Sequence, residues 1–338
     1  MSEPQPTAAA APQAPSAGGA AAAGRRRIAS PPVVLVALLV VALGLAYLMS
    51  GSAVVVAQAV LTGLLSGGVY GLVAMGLTLI FGVLDIVNFA HGAFLALALF
   101  VSFWMVDGLG VHPYLALLVG TPLMFALGAL VQRGVLAPSM GKPLENQLLI
   151  TLGLALLIEN GLLLFAGADP RSVALPGDTA VPVLGAVTEL SRLLAFAGAL
   201  ALAAVLYVLL QRTRLGTAIR AVAANETGAR LVGINTRRMY ALTFALGTAC
   251  AGAAGTLVAP LVTIEPTTGA LFNIIAFVVV VIGGLGNVLG ALVGGLLIGL
   301  AEQLGGIYLP GQSSLLAVFV VFVLVLFLRP QGLFGRSR

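Results

Sequence analysis

Long runs of apolar residues, nearly free of charge, recur along this chain from residue 54 almost to its end. An α-helix needs about 20 such residues to cross the hydrocarbon core of a bilayer. The chain as a whole is 60% hydrophobic and 8% charged, and its mean hydropathy is +1.13. Ordinary soluble domains do not have this composition. The sequence therefore predicts an all-α polytopic membrane protein.

The candidate membrane spans are apolar runs separated by short turns or by basic loops. They lie near residues 54–80, 86–106, 113–133, 147–167, 193–210, 239–263, 271–284, 288–308 and 313–328. With one further span before residue 53, the predicted total is about ten transmembrane helices. Two places are less regular: the turn at Phe81–Asp85, and the block at 271–308, whose first run is short and ends in several glycines. The alternative is therefore eight or nine spans with some helices broken or re-entrant.

The N-terminal region differs from the rest in composition. Residues 1–27 are rich in Ala, Pro, Gln, Ser and Gly without periodicity, which predicts a disordered cytoplasmic tail. Residues 28–52 contain the apolar run Val33–Met49, preceded by three arginines. This segment is either an extra transmembrane anchor or a signal-like segment cleaved near Ser52 or Ala53. The anchor is preferred because the run is long for a signal peptide. Residues 53–335 are predicted to form one transmembrane domain.

A basic loop at residues 211–238 interrupts the apolar runs. It holds six of the sixteen basic residues of the chain, namely Arg212, Arg214, Arg220, Arg230, Arg237 and Arg238. Lys and Arg accumulate in the cytoplasmic loops of membrane proteins. The loops with Arg133 and Lys142, and the C-terminal arginines 329, 336 and 338, fall on the same side in this topology. Both termini are therefore predicted to be cytoplasmic.

Part of this loop has the pattern of a short amphipathic helix, from Thr217 to Val232. Gly233 is a candidate left-handed C-cap, and Asn235 or Thr236 is a candidate N-cap for the next span. The loop has two interpretations: a surface helix held by anionic lipid, or a helix that docks on a soluble cytoplasmic partner. The apolar or small positions of the pattern are Ile219, Val222, Ala223, Leu231 and Val232.

Glycines recur at a spacing of four residues in two of the predicted spans. Small residues at this spacing let two helix backbones approach closely, which matters in lipid because no hydrophobic force drives helices together there. These positions are predicted to be packing faces. The two sets are Gly63, Gly67 and Gly71, and Gly286, Gly290 and Gly294, the second followed by Gly295 and Gly299.

Polar residues at membrane depth are the candidate pathway. They are costly in lipid, so a functional role is the default hypothesis, and hydrogen bonding between helices is the alternative. Asp85, Asn88 and His91 have the spacing of one helical face. As a set, the polar residues are predicted to line or gate a translocation pathway. The set comprises Asp85, Asn88, His91, Glu159, Asn160, Asn273, Asn287 and Glu302, with Gln303 beside the last.

Several kinds of chemistry have no motif in this chain. The phosphate-binding pattern GxxxxGK[ST] does not occur, and GGLGNVLG at 283–290 lacks the spacing of a dinucleotide-binding fingerprint. There is no HExxH or GxSxG motif. The histidines are His91 and His112 and the one cysteine is Cys250, too few for a His or thiolate metal site. We therefore predict no enzyme activity, no catalytic residue, no metal site, no cofactor on this chain and no nucleic-acid partner.

Taken together, several strings resemble the permease subunits of branched-chain amino acid ABC importers. The resemblance spans roughly residues 54–335. The strings are VNFAHG at 87–92, RLGTAIRAVAANETGARLVGIN at 214–235, VIGGLGNVLGALVGGLLIGLAEQL at 281–304 and LRPQGLFG at 328–335.

The resemblance implies a complex in the bacterial inner (plasma) membrane. Its expected partners are a second homologous permease, two cytoplasmic ABC ATPases that bind ATP, and a periplasmic substrate-binding protein, with lipid around the spans. The implied cargo is a branched-chain or other hydrophobic amino acid, although similar permeases serve urea and amides. The 214–235 string matches the coupling loop of this family, which implies ATPase contacts at Arg220, Ala224, Asn225, Glu226, Ala229, Arg230 and Gly233.

The rival interpretation is an ion-coupled secondary transporter of amino acids or small amides. Glu159, Asp85 or His91 would then be the proton or ion site. Such a transporter needs no cytoplasmic partner, so the long basic loop would have no role in it. A passive channel would need more pore-lining polar residues than the spans contain.

Overall fold

The computed structural model describes residues 40, 43–183, 185–308 and 314–335. The predicted tail at 1–27 and the first part of the 28–52 segment lie outside this range, so their interpretation stays a prediction. Residues 43–50 are helical. Ala46 in this helix packs with Ala59 and Leu304 in a small apolar cluster.

Helices make up most of the described chain. Short 3-10 turns at Pro113–Ala116 and Ala259–Leu261 flank two of them, and a π turn at Gln132–Leu136 followed by a 3-10 turn at Ala137–Ser139 ends a third. The helices are α1 (Ala53–Leu84), α2 (His91–Leu109), α3 (Leu117–Val131), α4 (Leu144–Ala166), α5 (Leu190–Arg212), α6 (Arg214–Ala224), α7 (Glu226–Leu231), α8 (Thr236–Val258), α9 (Thr268–Gly283), α10 (Val288–Tyr308) and α11 (Ser314–Leu328).

Each apolar run predicted after residue 53 overlaps one of these helices. Within the described part, seven helical stretches are long and apolar enough to cross a membrane, whereas α9 and α11 are apolar but shorter. The all-α polytopic class is thus confirmed, while the total of ten and the side of the termini stay predictions. One small departure is an antiparallel hairpin between α4 and α5, formed by β1 (Ala180–Val183) and β2 (Ala186–Glu189). The seven stretches are α1, α2, Pro113–Ser139, α4, α5, Thr236–Leu261 and α10.

The core of the bundle is built around α1 and α8. Most residues of both helices are buried, and α8 packs against α1, α2 and α3. Between α2 and α8, the rings of Phe94 and Phe244 meet edge to face with centroids 6.2 Å apart. In contrast, α4 packs mainly on α2 and exposes most of its apolar surface. Such a surface suits lipid or another membrane subunit.

The predicted glycine packing faces are confirmed. Antiparallel helices α1 and α10 form the most extensive contact in the bundle. A Cβ atom built onto Gly63 would lie 2.8 Å from the carbonyl oxygen of Gly299, and one on Gly67 would lie 2.8 Å from that of Gly295. Real Cβ atoms essentially never come this close to backbone atoms. The two helices can therefore pack at this distance only because glycine stands at these positions.

The second glycine set divides between two neighbours of α10. Gly295 and Gly299 face α1, whereas Gly290 and Gly294 face Gly283 and Val279 of α9. Gly286 lies in the turn before α10 with φ of 81°. Small residues on two sides thus let α10 pack closely between α1 and α9.

Candidate functional site

The segment between α1 and α2, which contains the VNFAHG string, is a break in the helical path rather than part of a helix. Helix α1 ends at Leu84, and Asp85 has φ of 55°, the one non-glycine residue with positive φ among those described. Helix α2 begins at His91. The prediction that Asp85, Asn88 and His91 share one helical face was therefore wrong. Asp residues adopt the left-handed conformation more readily than most, which allows the chain to turn here.

Two polar side chains of this break are completely buried, Asn88 and His91. The side-chain oxygen of Asn88 accepts the N–H of Ala90 at 3.1 Å. The Nε2 atom of His91 lies 3.0 Å from the carbonyl oxygen of Val73 and donates to it. Asp85, in contrast, is exposed. The chain thus turns back into the bundle, because Val73 lies about three helical turns before Asp85 on α1.

Asn273 of α9 completes this polar junction, by which we mean residues 85–92 together with Asn273. Its amide nitrogen donates to the carbonyl of Phe89 at 3.1 Å, and its amide oxygen accepts the N–H of Gly92 at 3.2 Å. From α4, the hydroxyl of Thr151 donates to the carbonyl of Val87 at 3.3 Å. Backbone groups outside a helix must find such partners at membrane depth, because lipid offers none.

Replacing Asn273 by leucine is expected to lower the thermal midpoint of the purified chain clearly. The change removes both hydrogen bonds and leaves the buried N–H of Gly92 and the partly buried carbonyl of Phe89 without these partners, at a cost of about 1 to 3 kcal/mol. Thermal unfolding in mild detergent measures this effect. The matched control is Asn160→Leu, because exposed Asn160 bonds, within the described part of the chain, only to Leu156 of its own helix. Equal shifts in both variants would show that Asn273 does not hold the junction.

Glu159 and Asn160, also in the predicted pathway set, lie apart from the polar junction. They are about two turns beyond Thr151 on α4, or about 12 Å along the axis. Glu159 is partly exposed and Asn160 is exposed, on a helix that contributes little to the core. They do not line the interior of this chain. A role at the surface of α4 is compatible with this position, and their function stays a prediction.

The remaining predicted pathway residues occupy two different places. Asn287 caps α10, since its side-chain oxygen accepts the N–H of Gly290 at 3.0 Å. Glu302 and Gln303 are half-buried on α10. The carboxylate of Glu302 interacts with the hydroxyl of Tyr70 on α1. Tyr70 was not among the residues predicted from the sequence, although a phenol within an apolar run is a signal that could have identified it.

The basic loops meet at one end of the bundle. We call this the basic end and define it by residues 132–143, 211–238, 284–287 and 328–335. A cavity of about 420 Å³ here is lined by the last turns of α1 and α5, by α6, by the turn before α10 and by Phe334. The LRPQGLFG string lies against that turn: the N–H of Leu333 donates to Ile282 at 2.8 Å, and Asn287 donates to the carbonyl of Phe334 at 3.1 Å. Parts of the last three quoted strings therefore come together here.

The predicted single helix from Thr217 to Val232 is two helices, α6 and α7, which meet at Asn225. The residue is extended, with φ of −160°, and its side chain accepts the N–H of Gly228 at 2.8 Å. Capping α7 in this way ends α6 and changes the chain direction. Of the apolar or small positions in the predicted pattern, Ile219 and Val222 are buried, whereas Ala223, Leu231 and Val232 are exposed.

Helix α7 is fixed to the start of α8. Arg230 forms an ion pair with Glu226, and its Nε atom donates to the hydroxyl of Thr236 at 3.2 Å. The predicted cap at Gly233 is confirmed: its φ is 85°, and bonds from Gly233 to Arg230 and from the following residue to Ala229 form a Schellman motif. Asn235 is the N-cap of α8, accepting the N–H of Arg238 at 3.0 Å.

The implied ATPase contacts separate into exposed and inward-facing residues. Ala229 is buried against the bundle, so it supports α7 instead of presenting a surface. Glu226 is half-buried and paired with Arg230. Ala224 and Asn225 are exposed, and with Glu226 and Thr227 they form what we call the corner. Arg220 and Gly233 are also exposed. The contacts themselves stay a prediction.

Comparison with known proteins identifies the family. Residues 59–328 match the family model for the branched-chain amino acid transport system permease component. The permease LivH of Escherichia coli is 31% identical over 301 residues, covering 82% of this chain and 95% of LivH. The permease BraD of Pseudomonas aeruginosa is 31% identical over 294 residues with the same two coverages.

A shorter match joins the chain to a transporter of a different solute. The ribose import permease RbsC of Escherichia coli is 34% identical over 127 residues, or 36% of this chain and 39% of RbsC. No solved structure matches the chain. The match to the family model covers most of the chain, and the apolar helices are those of a multi-pass membrane protein. This chain therefore belongs to the permease component family of branched-chain amino acid transport systems.

Proposed function

We propose that this chain is the membrane permease of an ABC importer for branched-chain or other hydrophobic amino acids in a bacterial inner membrane. Solute delivered by a periplasmic binding protein passes between this chain and a second, homologous permease. Two cytoplasmic ATPases supply the energy, since this sequence has no phosphate-binding loop of its own. The corner at the basic end is the single observation that carries this proposal.

The orientation of the bundle follows from its charge. The basic end gathers the loops of Arg133, residues 211–238 and Arg329, so it faces the cytoplasm under the positive-inside rule. The opposite end carries the β1–β2 hairpin, which Gln58 near the start of α1 holds through two hydrogen bonds to Val187. That end faces the periplasm and is available to the binding protein.

The corner is well suited to transmit a movement. Its exposed surface is formed by small or short side chains at Ala224, Asn225 and Thr227, which permit close approach of another protein. Behind it, Ile219, Val222 and Ala229 are buried, so α6 and α7 are packed firmly onto the bundle. A displacement imposed on the corner by an ATPase would therefore reach α5 and α8 directly.

The substrate class is proposed from the relatives. LivH and BraD are named as high-affinity branched-chain amino acid permeases, and both match nearly their whole length. RbsC, named for ribose, matches over a much shorter stretch. A permease of this kind needs only weak contacts with its solute, because tight binding in the pathway would slow release. Selectivity then resides mainly in the binding protein.

The proposal predicts that tagged chain extracted from its native membrane in mild detergent copurifies with ATPases and a second permease. Mass spectrometry identifies these partners. The purified complex, reconstituted in proteoliposomes with its binding protein, is expected to take up labelled leucine, isoleucine or valine only with hydrolysable ATP. A non-hydrolysable ATP analogue is the matched control.

One outcome would replace this function with the rival one. The chain would be a secondary transporter if it purifies alone, transports solute without ATP, and loses this transport when an ionophore collapses the ion gradient. ATP-dependent uptake of urea or an amide, with no uptake of these amino acids, would retain the ABC permease and overturn only the substrate.

A further inference from the structure

A second cavity at the basic end, of about 580 Å³, lies between the α3–α4 connection, α7 and the first turn of α8. Three arginines line it, one from each of these elements: Arg133, Arg230 and Arg237. Among the described residues that line it, Glu226 is the one acidic residue, and it is paired with Arg230. The cavity therefore has an excess of positive charge. The remaining lining residues are Gln132, Ala137, Pro138, Met140, Gly141 and Tyr240.

Two of these arginines, Arg133 and Arg237, stand beside the ends of apolar helices. Arg133 follows the last residues of the apolar helix α3, and Arg237 is the second residue of α8, at the start of a membrane-spanning stretch. Residues that flank apolar spans lie among the lipid headgroups. Both guanidinium groups belong to exposed residues. The cavity is thus open to the headgroup layer of the leaflet at the basic end.

Exposed apolar side chains lie close to Arg133 in the chain, although they do not line the cavity. Leu130 and Val135 are within three residues of Arg133, and both are exposed. Basic residues beside exposed apolar ones are typical of surfaces that bind anionic lipid. A soluble anion would use the arginines but would leave this apolar surface in water.

The cavity and the corner share Glu226, but otherwise they use different faces of α7. Glu226 and Arg230, four residues apart, share the face that lines the cavity. Thr227 and Leu231 share the neighbouring, exposed face. A lipid in the cavity and an ATPase at the corner can therefore be accommodated together.

We propose that this cavity binds the phosphate-bearing headgroup of an anionic phospholipid, such as phosphatidylglycerol, between Arg133 and Arg237. The lipid would join the α3–α4 connection to the start of α8 and so support the segment that carries the corner. This is a second site on the molecule, and it does not depend on which solute the chain transports.

Native mass spectrometry of the purified full-length chain, titrated with phosphatidylglycerol, tests the proposal. Arg133→Gln and Arg237→Gln are each expected to weaken binding about fivefold, since one cation at the membrane surface contributes on the order of 1 kcal/mol. Arg238→Gln is the matched control: it removes the same charge from the neighbouring position, which does not line the cavity. Arg237→Lys retains the charge and is expected to bind within about twofold of the original chain.

This experiment measures lipid binding, so its outcomes do not depend on whether or what the chain transports. The site is supported if Arg133→Gln and Arg237→Gln weaken the binding of phosphatidylglycerol while Arg238→Gln does not. The binding of phosphatidylcholine should be the same in all variants. If all three glutamine variants weaken the binding of phosphatidylglycerol equally, the effect is a general one of charge, and the proposed site is overturned. Competition by inorganic phosphate as strong as that by phosphatidylglycerol would assign the cavity to a soluble anion and overturn the lipid. Loss of binding in Arg237→Lys, with unchanged thermal stability, would also contradict the charge-based argument.

Discussion

Replacing Gly67 by valine is expected to prevent stable folding of the bundle. The first carbon of the new side chain would lie 2.8 Å from the carbonyl oxygen of Gly295 and 2.8 Å from the Cα atom of Leu296. Both atoms belong to the backbone of α10, so no side-chain rotation relieves the overlap, and α1 and α10 must separate. Overpacking of a tight contact costs about 1 to 3 kcal/mol or more, and here it acts on the most extensive helix contact in the bundle.

Gly153→Val is the matched control for Gly67→Val. Gly153 is also a helical glycine in a membrane span, on α4, but a Cβ atom there has nothing within 4 Å in the described chain. We expect Gly153→Val to unfold at the same temperature as the original chain, while Gly67→Val yields little monodisperse protein in mild detergent. Thermal unfolding and size-exclusion chromatography measure both. Similar behaviour of the two variants would show that close α1–α10 packing does not stabilise the fold.

Helix positions and glycine faces could be predicted from the sequence. In lipid, a span must be apolar along its whole length, so its limits can be recognised from a single amino-acid sequence. The run near 288–308 corresponds to α10 from end to end. Glycine spacing marked Gly63, Gly67 and Gly71 because residues four apart lie on one side of a helix. It did not show that α10 has two glycine faces, since the spacing of Gly290 and Gly294 resembles that of Gly295 and Gly299.

Breaks in the helical path were harder to predict. The spacing of Asp85, Asn88 and His91 fits one helical face, but the chain turns there instead. Likewise, the apolar pattern from Thr217 to Val232 predicted one helix and did not predict the break at Asn225. In both places Asp or Asn, residues that favour turns and caps, stands at the break. Residue type was the better signal, and apolar spacing over a few residues was the weaker one.

The side to which a polar residue points was not predictable. Asn273 and Asn160 are both asparagines within apolar helices, yet Asn273 is buried in the junction and Asn160 is exposed. In a soluble protein the polar face of a helix marks its exposed side. In a membrane, the outward face is as apolar as the inward one, so hydrophobic pattern does not distinguish them. Only the packing of the helices separates Asn273 from Asn160.

Placing a charge at Ala224 is expected to abolish uptake while leaving the protein inserted and folded. Ala224 is the exposed last residue of α6, beside Asn225 at the corner. If an ATPase covers this residue, Ala224→Asp buries an unpaired carboxylate in the interface, which costs about 3 to 5 kcal/mol. That is a loss of about a hundredfold or more in ATPase affinity. Copurified ATPase, ATP-dependent uptake and the amount of inserted chain are the three measurements.

The position of Ala224 makes this variant a cleaner test than Glu226→Arg. Glu226 pairs with Arg230, which also holds Thr236, so reversing its charge would loosen α7 as well as alter the corner. The control for Ala224→Asp is Asn146→Asp, which adds the same charge at an exposed position in the first turn of α4, next to the basic end. A carboxylate is favourable at a helix N-terminus, so this variant should insert, bind the ATPases and transport normally.

If Ala224→Asp retains both its ATPases and its uptake, the corner does not couple ATP hydrolysis to transport. If instead Ala224→Asp loses insertion or thermal stability, the corner is part of the packing of α6 and α7. Loss of uptake and of ATPase binding in a stable, inserted chain is the combination that only docking at the corner explains.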